Sequence, residues 1–308
     1  MKHTKHNDIN GWLIIDKPQG MGSTDVVNLT RRLFDANKNG HAGTLDPFAT
    51  GVLPIAFGEA TKIIPFVTDG DKIYEFTLKF GAFTNTDDIE GEIMQSGGRI
   101  PSTTEILSIL PSFIGNIEQI PPAYSAIKIN GQRAYKLARE GKTFEIPTRT
   151  VYIKSLNFIE QIAQDSFRFQ VECSKGTYVR TLGHDISLKL NTFGHLTALR
   201  RTKCGFFCIR DTILLENLKN IVYEGEWQDS LLPVQTPLRD IAALAVSAED
   251  AVKLRLGQGL SAQKYGLIKS SQSLMAAYDE DCLTALVRID GKKISPIRVF
   301  NLTEKRKI

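Results

Sequence analysis

Two stretches of the sequence alternate strictly between apolar and polar side chains. Residues 74–80 read YEFTLKF and residues 167–173 read FRFQVEC, so every second side chain is apolar. A period of two is typical of a strand that places one face against a core and the other in solvent. The sequence therefore predicts two half-buried strands and a sheet that contains them.

Helix signals surround these strands. Ser102 and Glu105 form a capping box ahead of an apolar run. Ser23 or Thr24 is expected to cap a helix whose apolar side chains follow the helical period, and another helix is predicted at about residues 178–190. Strands and helices mix without a regular βαβ order. This favours an α+β fold over a doubly wound parallel sheet.

The pattern changes near the end of the chain. Two prolines interrupt it, Ser247 is placed to begin a short helix, and strand-like runs follow at residues 285–289 and at about 297–300. Short strands separated by turn signals are typical of a small β-rich unit. We therefore expect a larger domain over residues 1–238 and a small C-terminal one over residues 239–308.

Composition excludes several classes of protein. The 308 residues are 42% hydrophobic, and 38 Lys and Arg against 34 Asp and Glu leave a net charge of +4, which excludes a disordered chain. Four cysteines are too few for a disulfide scaffold. No run reaches the length of a membrane span, and the polar, basic start does not resemble a secretory signal. A cytoplasmic protein with reduced thiols is expected.

Three segments resemble known cofactor-binding or metal-binding motifs, but each lacks a residue that the motif requires. Cys204 and Cys208 lack a second pair of zinc ligands and are expected to be core residues. The acidic run DDIEGE at residues 87–92 lacks the alternating ligands of a calcium loop and is interpreted as a solvated turn. The GKT at residues 141–143 resembles the end of a phosphate-binding loop, but Lys136 stands where the motif requires a glycine. No metal ion or nucleotide cofactor is predicted.

Basic residues gather in two places. Either cluster alone is compatible with a solvated face, but two clusters, with Tyr124 and Tyr135 in or beside the first, make a nucleic acid a serious candidate partner. The first cluster is Lys128, Arg133, Lys136, Arg139 and Lys142, and the second is Arg200, Arg201, Lys203 and Arg210.

A chemically suggestive segment surrounds Asp46. Pro47 biases this aspartate toward an extended backbone, and Gly43 and Gly51 permit tight turns on both sides. The loop would present the carboxylate within reach of His41. An aspartate that only stabilises an Asx-turn is equally compatible with these local signals.

Longer motifs resemble a known family. The run HAGTLDPFATGVLP at residues 41–54, continued by GEATK at residues 58–62, is similar to the signature of the TruB family, tRNA pseudouridine synthases that act on the T-arm loop. The resemblance covers nearly the whole chain, with Gly22 as a departure where the family usually has threonine. Further similar segments, in the family's order, are residues 11–20, 72–74, 121–128, 173–181 and 199–201.

The resemblance implies an isomerase that converts uridine 55 of tRNA to pseudouridine by base flipping, without a cofactor. Asp46 matches the catalytic aspartate, which either attacks covalently or takes a proton from the sugar. Tyr74 matches a tyrosine that packs against the base, and Arg180 an arginine that pairs with the carboxylate. Outside the family context, Tyr74 is interpreted as a core residue of its strand and Arg180 as a surface or phosphate-contacting arginine.

Four more residues receive roles from the resemblance. His41 matches a histidine that helps to extrude the nucleotide, although a loop histidine is more often structural. Tyr178 and Leu199 match residues that line the uridine pocket, and plain packing is their alternative. Lys17 is expected to support the active-site loop.

The resemblance also assigns RNA contacts. The segment at about residues 124–148 corresponds to an insertion that closes over the RNA loop, and the C-terminal segment resembles a PUA domain, a small β-barrel that touches the acceptor end of tRNA. A monomer without an obligatory protein partner is implied. The residues expected to contact RNA are Lys128, Arg133, Arg139, Arg200 and Arg201.

Two other functions remain open at this point. One is an RNA-folding helper that clamps tRNA and for which catalysis is secondary. The other is a synthase subunit that depends on a guide RNA. Residues 51–54 and 58–62 resemble the bacterial stand-alone type, which ranks the guide-dependent interpretation lower.

Overall fold

The computed structural model describes residues 7–225, 227–267 and 273–302 of the chain. Up to residue 214, the strands form one large sheet and two small hairpins. In chain order they are β1 (Gly11–Lys17), β2 (Asn39–His41), β3 (Thr50–Phe57), β4 (Lys72–Phe80), β5 (Ala82–Thr84), β6 (Ile93–Ser96), β7 (Gly115–Gln119), β8 (Lys128–Ile129), β9 (Gln132–Arg133), β10 (Arg149–Ala163), β11 (Ser166–Cys173), β12 (Gly194–Cys204), β13 (Phe207–Cys208) and β14 (Ile213–Leu214).

Helices flank this sheet, and the predicted ones are confirmed, including the capping box of Ser102 and Glu105. No helix of the described residues is long and apolar enough to cross a membrane. The α-helices of this part are α1 (Ser23–Leu33), α2 (Ile64–Thr68), α3 (Thr103–Ile109), α4 (Ala134–Arg139), α5 (Val179–Lys189) and α6 (Leu215–Glu224).

The large sheet is mixed and mainly antiparallel, as expected for an α+β fold. Its order is β14-β1-β3-β12-β4-β11-β10-β7, with β2 beside β3 and β13 beside β12. Among the described strands of this sheet, β1 pairs with β14 and β3 with β12 in parallel, and the other pairs are antiparallel. The two alternating stretches are the neighbouring strands β4 and β11, and Phe76 stacks on Phe169 between them with ring centroids 5.2 Å apart. Their apolar faces form the centre of the core.

The C-terminal part is a second sheet of order β15-β17-β18-β19-β16. It is curled into a half-barrel with β15 and β16 at its edges, consistent with the expected PUA-like domain. Ser247 caps the helix here by accepting a hydrogen bond from the Asp250 amide, as predicted. The elements are β15 (Ala242–Ala245), α7 (Ala248–Arg255), β16 (Leu260–Ser261), β17 (Ser273–Asp279), β18 (Cys282–Asp290) and β19 (Lys293–Val299).

The two sheets share an apolar cluster. Trp12 and Phe207 from the first sheet and Leu286 and Phe300 from the C-terminal part are all buried in it. Lys62 adds a polar link by donating a hydrogen bond to the Val299 carbonyl at 2.8 Å. Because burial of large side chains is worth a few kcal/mol each, on the order of 2, this contact fixes the C-terminal sheet against the rest of the protein.

The prediction that Cys204 and Cys208 are core residues is confirmed for Cys204 only. Cys204 is fully buried in the shared cluster, whereas Cys208 is partly exposed at the end of β13. Both are free thiols.

Candidate active site

The loop between β2 and β3 carries Asp46, and a buried lysine anchors it. The Lys17 ammonium donates hydrogen bonds to the carbonyls of Pro47 at 3.2 Å, Met21 at 2.7 Å and Pro18 at 2.9 Å. Burial lowers the pKa of Lys17 to about 8, although the nearby Asp46 carboxylate acts in the opposite direction. Lys17 thus has the contacts that the expected supporting role requires.

Ser23 provides a second anchor for the loop. Its hydroxyl donates to the Leu45 carbonyl at 2.9 Å and accepts from the Leu45 amide at 2.8 Å. The expectation that Ser23 or Thr24 caps α1 is wrong, because the cap position belongs to Gly22, whose amide donates to the Asp25 carboxylate at 3.2 Å. Ser23 therefore joins the first turn of α1 to the residue that precedes Asp46.

Arg201 forms the floor beneath the loop. Its side chain is 1% exposed and donates to the carbonyls of Val52 at 2.8 Å, Gly43 at 2.9 Å and Thr44 at 3.3 Å. The expected RNA contact of Arg201 is therefore corrected, because a buried guanidinium bonded to backbone carbonyls does not reach a phosphate. Gly51 has φ +102°, and a Cβ there would lie 2.2 Å from the Arg201 carbonyl oxygen, so the close approach requires glycine.

Arg200 is partly exposed and already paired. Its guanidinium makes two hydrogen bonds to the Asp16 carboxylate, at 3.0 and 2.6 Å, and one to the Thr50 hydroxyl at 3.3 Å. A bidentate arginine–carboxylate pair is strong and directional. Any phosphate contact by Arg200 must compete with Asp16.

Arg180, at the start of α5, lies behind the Asp46 carboxylate. Its Nε is 2.9 Å from Oδ2 of Asp46, and one terminal nitrogen is 3.2 Å from Oδ2 of Asp88. The guanidinium also donates to the carbonyls of Thr86 and Tyr124, each at 2.9 Å. The Arg180 side chain is 3% exposed and that of Asp46 is 32% exposed. A buried cation thus holds a carboxylate that remains open to a substrate.

Asp88 is the main residue that the sequence interpretation missed. It lies in the acidic run expected to be a solvated turn, but its side chain is buried. Its Oδ1 accepts hydrogen bonds from the Thr86 hydroxyl at 2.6 Å and the Glu90 amide at 3.0 Å, while Oδ2 faces Arg180. Burial raises the pKa of Asp88, and these contacts partly offset that effect. The acidic run at residues 87–92 predicted a carboxylate-rich turn, but the sequence does not indicate which of these carboxylates is buried.

A cavity of about 240 Å³ opens beside Asp46 and Arg180. Five of the six residues to which the family resemblance gives a catalytic or substrate-binding role meet here, and Lys72 and Arg149 line the cavity without having been predicted. The five are Asp46, Tyr74, Tyr178, Arg180 and Leu199.

The aromatic walls of this cavity are fixed by their neighbours. Burial raises the pKa of Tyr74 to about 12, so its phenol stays protonated at neutral pH. The Arg149 guanidinium stacks over the Tyr178 ring at 4.5 Å from its centroid. Gln119 exchanges two hydrogen bonds with the Tyr178 backbone, at 3.0 and 3.2 Å. The cavity therefore combines one carboxylate and several cationic side chains with flat apolar surfaces and the neutral hydroxyl of Tyr74.

His41 is not among the residues that line the cavity. It ends β2, and its Nδ1 is buried without a hydrogen-bond partner among the described residues. Burial, reinforced by the nearby Arg201 charge, lowers the pKa of His41. The imidazole is therefore neutral at neutral pH. Within the described part of the chain, no cluster of three or more acidic, histidine or cysteine side chains is placed to bind a metal ion.

Comparisons with known proteins identify the family of this chain. A profile described as "TruB family pseudouridylate synthase (N terminal domain)" matches residues 31–179, and one described as "tRNA pseudouridylate synthase B C-terminal domain" matches residues 180–241. The tRNA pseudouridine synthase B of Caulobacter vibrioides is 45% identical over 98% of this chain and 99% of its own length. The chain belongs to the TruB family of pseudouridylate synthases.

Two further comparisons place this family member among its relatives. The tRNA pseudouridine synthase B of Bradyrhizobium diazoefficiens is 47% identical over 96% of this chain and 87% of its own length. Among solved structures, a chain of a Cbf5-Nop10-Gar1 complex is 25% identical with a TM-score of 0.71, and the match covers 94% of this chain and 83% of that one. The pseudouridine synthase fold thus extends over both sheets of the TruB-family chain.

Proposed function

We propose that this chain isomerises uridine 55 in the T-arm loop of tRNA to pseudouridine, with Asp46 as the catalytic carboxylate. The observation that carries the proposal is the placement of Asp46: its loop is anchored by Lys17, Ser23 and Arg201, and its carboxylate is paired with buried Arg180 at the mouth of a cavity. The full-length similarity to tRNA pseudouridine synthases B supports tRNA as the substrate.

The reaction conserves atoms. The N1–C1′ bond of uridine breaks, the base rotates, C5 bonds to C1′, the C5 proton leaves and N1 gains a proton. Asp46 either attacks covalently or removes a proton from the sugar, and both routes need a free carboxylate oxygen. Because Arg180 contacts Oδ2, Oδ1 remains available for either route.

The cavity walls suit a detached uracil. Tyr74 and Tyr178 provide rings for the base to pack against, and Leu199 provides an apolar surface. The raised pKa of Tyr74 favours packing and hydrogen-bond donation by its phenol over removal of a proton by phenolate. A target inside a folded RNA loop must be flipped out to reach C1′, and neutral His41 is the residue proposed to assist this step.

The segment of residues 124–148 is the proposed RNA clamp. Lys128, Arg133 and Arg139 are exposed on it, and the Arg180 hydrogen bond to the Tyr124 carbonyl links its beginning to the catalytic centre. Residues 1–238 are proposed as the catalytic domain and residues 239–308 as an RNA-binding domain directed at the acceptor end. A monomer in the cytoplasm, without an obligatory protein partner or guide RNA, completes the proposal.

An unmodified tRNA transcript, purified protein and no added cofactor test the proposal. Pseudouridine is mapped by carbodiimide adducts and reverse-transcription stops, with Asp46→Asn beside wild type and tRNA affinity measured for both. A stop at the T-loop uridine with wild type alone is expected, together with retained binding by the variant. Turnover by Asp46→Asn would remove that residue from the catalytic role. Binding without any product from wild type would favour the RNA-folding helper or a guide-dependent subunit.

A further inference from the structure

A second ion pair lies one helical turn from the Arg180–Asp88 contact. His184 follows Arg180 by four residues in α5, so both side chains lie on the same face of the helix. Nδ1 of His184 is 3.2 Å from Oδ1 of Asp87, the residue that precedes Asp88. Two consecutive residues of one loop therefore contact two consecutive turns of one helix.

The backbone of the loop is arranged for this double contact. Asp87 has φ +60°, a left-handed conformation that costs energy for a residue with a side chain. Its carbonyl accepts a hydrogen bond from the Leu196 amide at 3.0 Å, which ties the turn to β12. The ring of Phe83 packs at a tilt against that of His184, with centroids 5.1 Å apart. The Phe83 ring thus positions the His184 imidazole, and the hydrogen bond to β12 positions Asp87, so that the two side chains are in contact.

We propose that His184 and Asp87 act as positioning residues for catalysis, by holding the Asp88 loop against α5 so that Arg180 keeps its contacts with Asp88 and Asp46. The inference rests on the proposed function. Arg180 attaches the loop through Asp88 and the Thr86 carbonyl, and the His184–Asp87 contact one turn away opposes rotation of the loop about that attachment. The Asp46 carboxylate then stays in the geometry that the reaction needs.

Protonation of His184 controls the strength of the second attachment. The contact with Asp87 raises the pKa of His184, against the opposing effect of burial. Asp185, its neighbour on α5, is the other charged group that acts on the imidazole, and burial raises its pKa to about 6. Above pH 7 Asp185 is ionised, and the ratio of wild-type to variant kcat cancels the effect of other groups that titrate there, such as Lys17.

The first test compares turnover of unmodified tRNA by wild type, His184→Gln and Asp87→Asn between pH 7 and pH 9. At pH 7 each variant is expected to lower kcat about three- to fivefold, as for a half-exposed ion pair, with KM unchanged. The ratio of wild-type to variant kcat should fall toward 1 as the pH rises to 9, because wild-type His184 loses its positive charge when its proton is released. The variant that carries both substitutions should have the same kcat as either single variant, because each substitution alone already removes the contact between His184 and Asp87.

A matched control and a direct titration make the test decisive. Lys189→Gln removes a positive charge from the exposed end of the same helix and should leave kcat at the wild-type value. NMR titration, with His184→Gln to assign the signal, should give His184 a pKa above the ordinary value of 6.5, falling in Asp87→Asn. A kcat ratio that does not change with pH, or a His184 pKa that Asp87→Asn does not lower, would overturn the inference. Wild type without product overturns the proposed function instead, and the titration still decides whether the pair exists.

Discussion

Asp46 and Asp88 share one guanidinium: Oδ2 of the first lies 2.9 Å from Nε of Arg180, and Oδ2 of the second lies 3.2 Å from a terminal nitrogen of the same group. The two carboxylates differ in solvent access, since the Asp46 side chain is 32% exposed and that of Asp88 is 4% exposed. The exposed carboxylate is therefore placed to meet a substrate, and the buried one to hold the cation in place.

Neutralising the buried carboxylate should impair catalysis without impairing tRNA binding. In Asp88→Asn, Arg180 loses a charged partner and can turn toward Asp46, which changes the orientation of the carboxylate proposed to be catalytic. We expect kcat to fall about tenfold or more, the range seen when a supporting partner of a reactive group is removed. Single-turnover kinetics and tRNA affinity measure the two effects separately. Glu92→Gln, an exposed acid of the same turn, should behave as wild type.

The loss of the Lys17 proton should affect activity and stability in opposite directions, so that stability rises and kcat falls as the pH increases. The native Lys17 loses its proton near pH 8, whereas in the unfolded chain it does so near 10.5. Between these values the unfolded state binds more protons, so this group makes the native state more stable as pH rises, by roughly 3 kcal/mol at most. Over the same range the loop carbonyls lose their cationic donor, and kcat should fall.

Lys17→Met isolates that contribution. The unfolding free energies of wild type and Lys17→Met are measured in urea at pH 7, 8 and 9. As the pH rises, the stability of wild type relative to the variant should increase. The decline of kcat near pH 8 should be absent from the variant, whose activity is low throughout. A stability difference that is constant across this range would contradict the assignment.

The two neighbouring arginines should differ strongly in their effect on folding. Arg201→Met leaves three buried carbonyls without their donor, and we expect it to cost about 3 kcal/mol or more of unfolding free energy. Arg200→Gln removes a partly exposed pair with Asp16 and should cost about 1 kcal/mol or less. Urea denaturation of both variants measures the difference, and equal losses would show that the Arg201 hydrogen bonds do not stabilise the loop.

The sequence could predict what depends on periodicity and local turn chemistry. The alternation in residues 74–80 and 167–173 identified two central strands because one face of each is buried. The glycines and proline around Asp46 identified a presenting loop. The inward orientation of Asp88 and the burial of Arg201 depend on which strands become neighbours, and a buried charged residue looks the same in a sequence as an exposed one. Residues contributed by distant strands, such as Arg149, were missed for the same reason.

The basic face of the clamp segment, residues 124–148, should contribute to tRNA affinity through phosphates. Lys128, Arg133 and Arg139 are exposed there, and each phosphate contact that is lost should flatten the dependence of log affinity on log salt by about 0.7 for single-stranded RNA. Replacing all three by glutamine should therefore flatten the slope by about 2. Filter binding of unmodified tRNA from low to moderate salt measures it, with Lys189→Gln as the control for loss of an exposed charge outside the clamp. If the triple variant keeps the wild-type slope, these residues do not contact the phosphates, and the clamp must recognise RNA by its shape and by base stacking instead.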